Sequence, residues 1–109
     1  MIEKNILFIG GGNMAEGIIR GQLKNQIISN KNIYISEVLQ SRRDYLNETY
    51  GIQMVDDLNQ ALKNCQIVFI AVRPQDIESV LASIKEANND EILVLSIVAG
   101  VTIETMSQA

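Results

Sequence analysis

Gly10-Gly11-Gly12-Asn13-Met14-Ala15 is a G-x-G-x-x-A run between an apolar stretch, Asn5 to Ile9, and a segment of helical spacing that runs to about Asn25. Each small residue answers a requirement of anion binding. Gly10 lets the chain turn sharply off a strand, and Gly12, without a Cβ, lets a pyrophosphate approach the backbone. Ala15 is small enough for a helix to pack against that strand. The free N–H groups and dipole of the helix start then receive the negative charge. A glycine cluster alone is also compatible with a tight turn that holds no ligand. Its place between strand and helix, ahead of a second apolar stretch ending near Ser36, predicts more: the amides of Gly10 to Met14 bind the diphosphate of a nicotinamide dinucleotide. Gly17 and Gly21, four apart, read as continuing the small face of that helix against the sheet.

The end of the second apolar stretch faces the adenosine ribose in such an arrangement. An acid there accepts hydrogen bonds from a 2′-hydroxyl, whereas a 2′-phosphate calls for hydroxyls and arginine. The sequence offers both, with Ser36-Glu37 followed by Ser41-Arg42-Arg43. Arg42 and Arg43 read either as a phosphate clasp or as a solvated first helical turn, and Glu37 either as the ribose acid or as a loop carboxylate. NADP is the expected cofactor, with NAD possible.

Two later segments also end where ligands bind. Ala71-Val72-Arg73-Pro74-Gln75 follows the fourth apolar run and Ser96-Ile97-Val98-Ala99-Gly100 follows the fifth. Ala71, Ala99 and Gly100 are small enough to admit a nicotinamide ribose beside the backbone. Arg73 suits the cofactor phosphates, a substrate carboxylate, or simply solvent. Cys65 reads as a small buried residue, and Asp56-Asp57 as a helix cap rather than a catalytic pair. The chain has no histidine, which removes the commonest general base and metal ligand. No residue stands out as a catalytic acid or base, and no metal set is expected.

The elements that must position these residues follow from five apolar runs: Ile6–Ile9, Ile33–Ser36, Ile52–Val55, Ile67–Val72 and Ile92–Val98. Most are continuous, as in parallel strands covered on both faces. Ser41-x-x-Asp44 and Asp57-x-x-Gln60 read as helix caps. Pro74 ends the fourth run and opens a helix from Asp76 to about Ala87, followed by a turn at Asn88-Asn89-Asp90. The alternation predicts an α/β Rossmann-type domain, a doubly wound parallel sheet in strand order 3-2-1-4-5. Thr102 to Met106 resembles a capped helix start close to the last residue. The 109 residues are therefore expected to be one N-terminal domain of a longer protein.

Composition sets outer bounds. Apolar residues at 47% and charged residues at 20% suit a globular domain. The net charge of −4 argues against a nucleic-acid surface or a polybasic membrane patch, so an anion must be held by local geometry. No apolar run reaches a spanning length, and the N-terminus carries no secretory pattern. A single cysteine suits a reducing cytoplasm.

Phe8 to Ala15, Ala71 to Gln75 and Ser96 to Ile103, in that order along the whole chain, resemble pyrroline-5-carboxylate reductases. The phosphate loop is common to many dehydrogenases, so the later segments carry the specificity. The resemblance implies hydride transfer from NAD(P)H to a cyclic imino acid, giving proline, with NADPH the commoner donor. It implies a cofactor contact along Gly10 to Ala15, Ser36, and Ala71 to Pro74. It also implies a following helical domain that forms a homodimer or higher oligomer and completes the substrate pocket. Two departures stand out. Arg73 occupies a usual lysine position, and Leu58, beside Asn59, replaces a cofactor-contacting asparagine. The rival readings are a nucleotide-sensing regulatory module and a related reductase using a deazaflavin or a β-hydroxyacid.

Overall fold

A computed structural model describes residues 4–89 and 92–96. Among these residues five strands and four α-helices alternate: β1 (Ile6–Ile9), α1 (Asn13–Lys24), β2 (Ile33–Ser36), α2 (Gln40–Tyr50), β3 (Gln53–Met54), α3 (Leu58–Asn64), β4 (Ile67–Ile70), α4 (Ile77–Ala87) and β5 (Leu93–Ser96). All pairings are parallel and the sheet order is β3-β2-β1-β4-β5, as expected from the sequence. The direction of winding reverses between β1 and β4, which opens a crevice at the carboxyl ends of these strands.

Alternation along β1 splits the interior into two layers. Ile6 and Phe8 pack with Ala15, Ile19, Ile33, Ile35 and Leu46 under α1 and α2. Leu7 and Ile9 pack with Leu62, Val68, Ile70, Ile77 and Val80 under α3 and α4. Every residue of β1 is buried, which is why its sequence is apolar without interruption. Phe8 and Phe69, paired across β1 and β4, stack with ring centroids 4.8 Å apart. Gly51 ends α2 at φ +67°, a left-handed conformation that glycine adopts without a Cβ clash.

Several local readings are corrected. Ser41 does not cap α2, which begins at Gln40 with Leu39 as the flanking residue and no side-chain cap. Glu37 supplies the acceptor instead, its Oε2 taking the Leu39 N–H at 2.7 Å, and Asp44 accepts from the Gln40 amide at 2.8 Å. The Asp57 cap holds, accepting the Gln60 backbone N–H at 3.2 Å. Gly17 and Gly21 do not press against the sheet: a Cβ at either would meet nothing within 4 Å. Gly17 lies about 200° round the helix from Ala15, so it points away from the packed face. The third run shortens to Gln53–Met54, with Ile52 and Val55 buried at either side. The fourth ends at Ile70 as the chain turns into a 3-10 turn, Pro74–Asp76, ahead of α4. The expected features at Asp90, at Ile97 to Gly100 and at Thr102 to Met106 lie outside the described residues.

Candidate functional site

The glycine turn is built by contacts that admit no side chain at its first position. Gly10 sits at φ +99°, and a Cβ there would lie 2.5 Å from the Ala71 carbonyl oxygen. Its N–H donates to the Ser36 carbonyl at 2.8 Å, prolonging the β1–β2 ladder, while the Ala71 N–H donates to the Ile9 carbonyl at 2.8 Å. The ends of β1, β2 and β4 are thereby fixed together around one turn.

Gly12 differs. It is the residue flanking α1, its carbonyl accepts the Glu16 N–H at 3.0 Å, and a Cβ on it would meet nothing within 4 Å. The space over Gly12 is open rather than packed. It makes no side-chain cap, so the α1 dipole faces that space without a local carboxylate or hydroxyl at the capping position. Close backbone approach by a phosphate is the function this leaves available. A cleft of about 720 Å³ lies here, lined by Gly10, Gly11, Gly12, Ser36, Glu37 and Val38 on one side and by Leu39, Ala71, Val72, Arg73, Asp76 and Ser79 among the rest. A smaller cavity of about 390 Å³ opens by Leu7, Tyr34, Met54, Asp57 and Cys65. The helix start beside it is already capped by Asp57, so it offers no comparable anion seat.

Most of the expected site residues therefore converge. Asn13, Met14 and Ala15 form the first turn of α1, with Met14 exposed and Ala15 fully buried. Pro74 opens the 3-10 turn beside the cleft. Arg73 reaches the cleft but turns to Asp76, Nε to Oδ2 at 3.2 Å, and stays largely exposed. Ala99 and Gly100 lie outside the described residues.

The charged residues after β2 are more constrained than their sequence spacing suggests. Glu37 Oε1 accepts the Gly11 N–H at 3.0 Å. Arg42 donates from Nε to the Gly11 carbonyl at 2.8 Å and from Nη2 to Glu16 Oε1 at 3.1 Å. Arg43 binds the Glu37 and Val55 carbonyls at 3.2 and 3.3 Å and pairs with Asp56 at 2.8 Å. It ties the end of β2 to the end of β3. Neither arginine is among the side chains lining the cleft.

Glu16 is the residue sequence reasoning missed. Although 6% exposed, it is charged, and its Oε2 accepts the hydroxyls of Tyr50 at 2.6 Å and Tyr45 at 2.7 Å. These hydroxyl bonds, with Arg42, outweigh burial and lower its pKa from 4.5 to about 2. A signal was present: Ala15, Glu16 and Ile19 share the buried stripe of α1, and a carboxylate on such a stripe must be paired. Cys65 is buried as expected, and burial raises its pKa from 9.0 to about 11.

A parallel sheet in this order, with a glycine turn and an uncapped helix start at its switch point, has the architecture of a Rossmann-type dinucleotide-binding domain. The chain belongs to the family described as NADP oxidoreductase, coenzyme F420-dependent, whose profile matches residues 5–100. It is 34% identical over its full length to a pyrroline-5-carboxylate reductase of Methanosarcina acetivorans, of which it covers 40%. A solved pyrroline-5-carboxylate reductase from Coxiella burnetii superposes with a TM-score of 0.88 at 31% identity, over 98% of this chain and 40% of that one. The Plasmodium falciparum pyrroline carboxylate reductase solved with NADP bound shares the fold, with a TM-score of 0.81 at 22% identity, over 99% of this chain and 38% of that one. The chain thus spans about 40% of the length of the relatives it matches. Among the described residues no helix is long and apolar enough to cross a membrane.

Proposed function

We propose that this chain is the NAD(P)H-binding domain of a pyrroline-5-carboxylate reductase. The observation that carries the proposal is the open backbone at Gly12, set at the switch point of a chain that is similar end to end to such reductases. NADP is the expected cofactor, in keeping with the family's description, and NAD remains within reach of the same loop.

The residues present fit that group. The Gly10 and Gly11 N–H groups are taken by the Ser36 carbonyl and Glu37 Oε1, so the expected Gly10–Met14 cradle narrows to the helix-start amides of Gly12 to Met14. These would receive the diphosphate, with Ser36 and Glu37 at the adenosine ribose and Ala71 to Pro74 with Ala99 and Gly100 on the nicotinamide side. Bound there, the dihydronicotinamide supplies the hydride that reduces the imine. The chain's own part is positional. Gly10 and Ala71 lock the turn and so fix where the phosphate sits, and holding donor and acceptor in one geometry lowers the entropic part of the barrier. Proton delivery and capture of the substrate carboxylate fall to a second, dimerising domain of the same polypeptide. The single buried Cys65 favours a reducing, cytoplasmic setting. A second reading, hydride exchange between NADP and a deazaflavin, is favoured by the family's description.

The test is an assay of the whole gene product with 1-pyrroline-5-carboxylate, following NAD(P)H oxidation and proline formation. Turnover with that imine supports the proposal. NAD(P)H binding without imine reduction overturns the substrate assignment and leaves the deazaflavin reading.

A further inference from the structure

Gly11 is gripped from both sides by opposite charges. Glu37 Oε1 takes its N–H at 3.0 Å, and Arg42 Nε donates to its carbonyl at 2.8 Å. A Cβ at Gly11 would lie 2.9 Å from Leu46 and 3.1 Å from Glu37, so the loop, α2 and the end of β2 meet there with no slack. Behind Arg42 stands Glu16. Its carboxylate receives Arg42 Nη2 at 3.1 Å, the Tyr45 and Tyr50 hydroxyls at 2.7 and 2.6 Å, and the more exposed Arg20 at 3.5 Å. The Arg42 guanidinium also lies 5.1 Å from the Tyr45 ring centre. Thus the arginine nearest the phosphate loop arrives already neutralised and held in place.

We propose that Glu16 is a specificity-determining residue that sets the choice between NADPH and NADH by holding Arg42 against Gly11. This inference rests on the cofactor reading above and extends it to the ribose end. A 2′-phosphate beside Glu37 meets one carboxylate directly, and the countercharge that would offset it is shared with a second carboxylate one helix away. Glu16 does not touch the cofactor. It is a positioning residue that acts through Arg42, and its hold keeps that arginine divided between the Gly11 carbonyl and the Glu16 carboxylate. The tyrosines keep the Glu16 oxygens aimed at Arg42, and both contribute neutral hydroxyls, so they add geometry without adding charge. Loss of the Glu16 charge leaves Arg42 with its full positive charge behind Gly11, whose backbone lines the cleft. NADPH gains from that change and NADH, without the extra phosphate, does not.

The experiment is calorimetric titration of the full chain with NADPH and with NADH, in the wild type, Glu16→Gln, and the double variant Glu16→Gln with Arg42→Gln. Glu16→Gln is expected to raise the preference for NADPH about fivefold, through the NADPH constant alone. The double variant is expected to return it to within about twofold of the wild type. A purely structural Glu16 would weaken both cofactors together and leave the ratio unchanged, which overturns the proposal. A rise that survives loss of Arg42 overturns it too. A wild-type measurement guards against failure of the variants to fold: the Arg42 Nε–H resonance should move on titration with NADPH and hardly move with NADH. An identical response to both sinks the inference while leaving the cofactor reading intact, whereas no binding of either cofactor removes both.

Discussion

The Glu37 carboxylate spans the Gly11 N–H and the Leu39 N–H, at 3.0 and 2.7 Å, so a single side chain closes the phosphate loop and opens helix α2. The acid that would choose the cofactor is therefore also part of the scaffold. Its removal tests both roles. Glu37→Ser is expected to strengthen the NADPH preference by relieving a like-charge contact, from less than about tenfold in the wild type to more than that. It should also lower the melting temperature, since two backbone donors lose their acceptor. Dissociation constants for both cofactors and a thermal melt check the two halves. An unmoved ratio with a lowered melting temperature would make Glu37 a structural residue only.

Gly10 and Gly12 should fail in opposite ways. Gly10→Ala forces a Cβ to within 2.5 Å of a backbone oxygen at a positive φ, so it should destabilise the fold. The expected loss is about 2–4 kcal/mol, read by denaturant unfolding. Gly12→Val projects into open space, so the fold should remain and cofactor binding should disappear. Equal cofactor affinity in Gly12→Val and wild type would remove the phosphate-loop assignment.

The buried Glu16 carboxylate gives stability a defined dependence on pH. Its folded pKa of about 2 lies below the ordinary 4.5, so the unfolded chain binds the proton more tightly. Its contribution is fully present above about pH 4.5 and is lost as pH falls toward 2. Glu16→Gln should therefore lower stability at pH 7, and the gap to the wild type should narrow steadily between pH 4.5 and pH 2. Urea midpoints across that range measure it. Tyr50→Phe, which removes the hydroxyl bond that contributes most to the lowered pKa, should reproduce part of the effect. A gap that stays constant through this range would mean that Glu16 is not ionised in the fold.

The 109 residues by themselves are expected to bind the cofactor and not to reduce 1-pyrroline-5-carboxylate. The cleft opens to solvent, and water competes with any imine placed against the ring. Steady-state assay of the chain against the whole gene product distinguishes the two. Robust turnover by the 109-residue chain would place the active site within it, contrary to the domain division proposed above.

The order of the sheet and the position of the phosphate loop could be read from the sequence, because both depend on local signals. Continuous apolar runs mark buried parallel strands, and the steric demands at Gly10, Gly12 and Ala15 are met within six residues. Asp57 capped its helix as read, since a cap needs only the next three residues. Ser41 failed as a cap for a tertiary reason. Glu37, held by the Gly11 N–H from the end of the neighbouring strand, reaches the start of α2 first. Gly17 and Gly21 looked like packing residues by spacing, but only the orientation of α1 on the sheet decides which side of a helix is buried, and they lie off that side. The arginines show the same limit most clearly. Nothing local distinguishes Arg42 and Arg43 from a phosphate clasp. Their partners, Glu16 on α1 and Asp56 after β3, lie 26 and 13 residues away, and charge pairing at that separation exists only once the layers have packed.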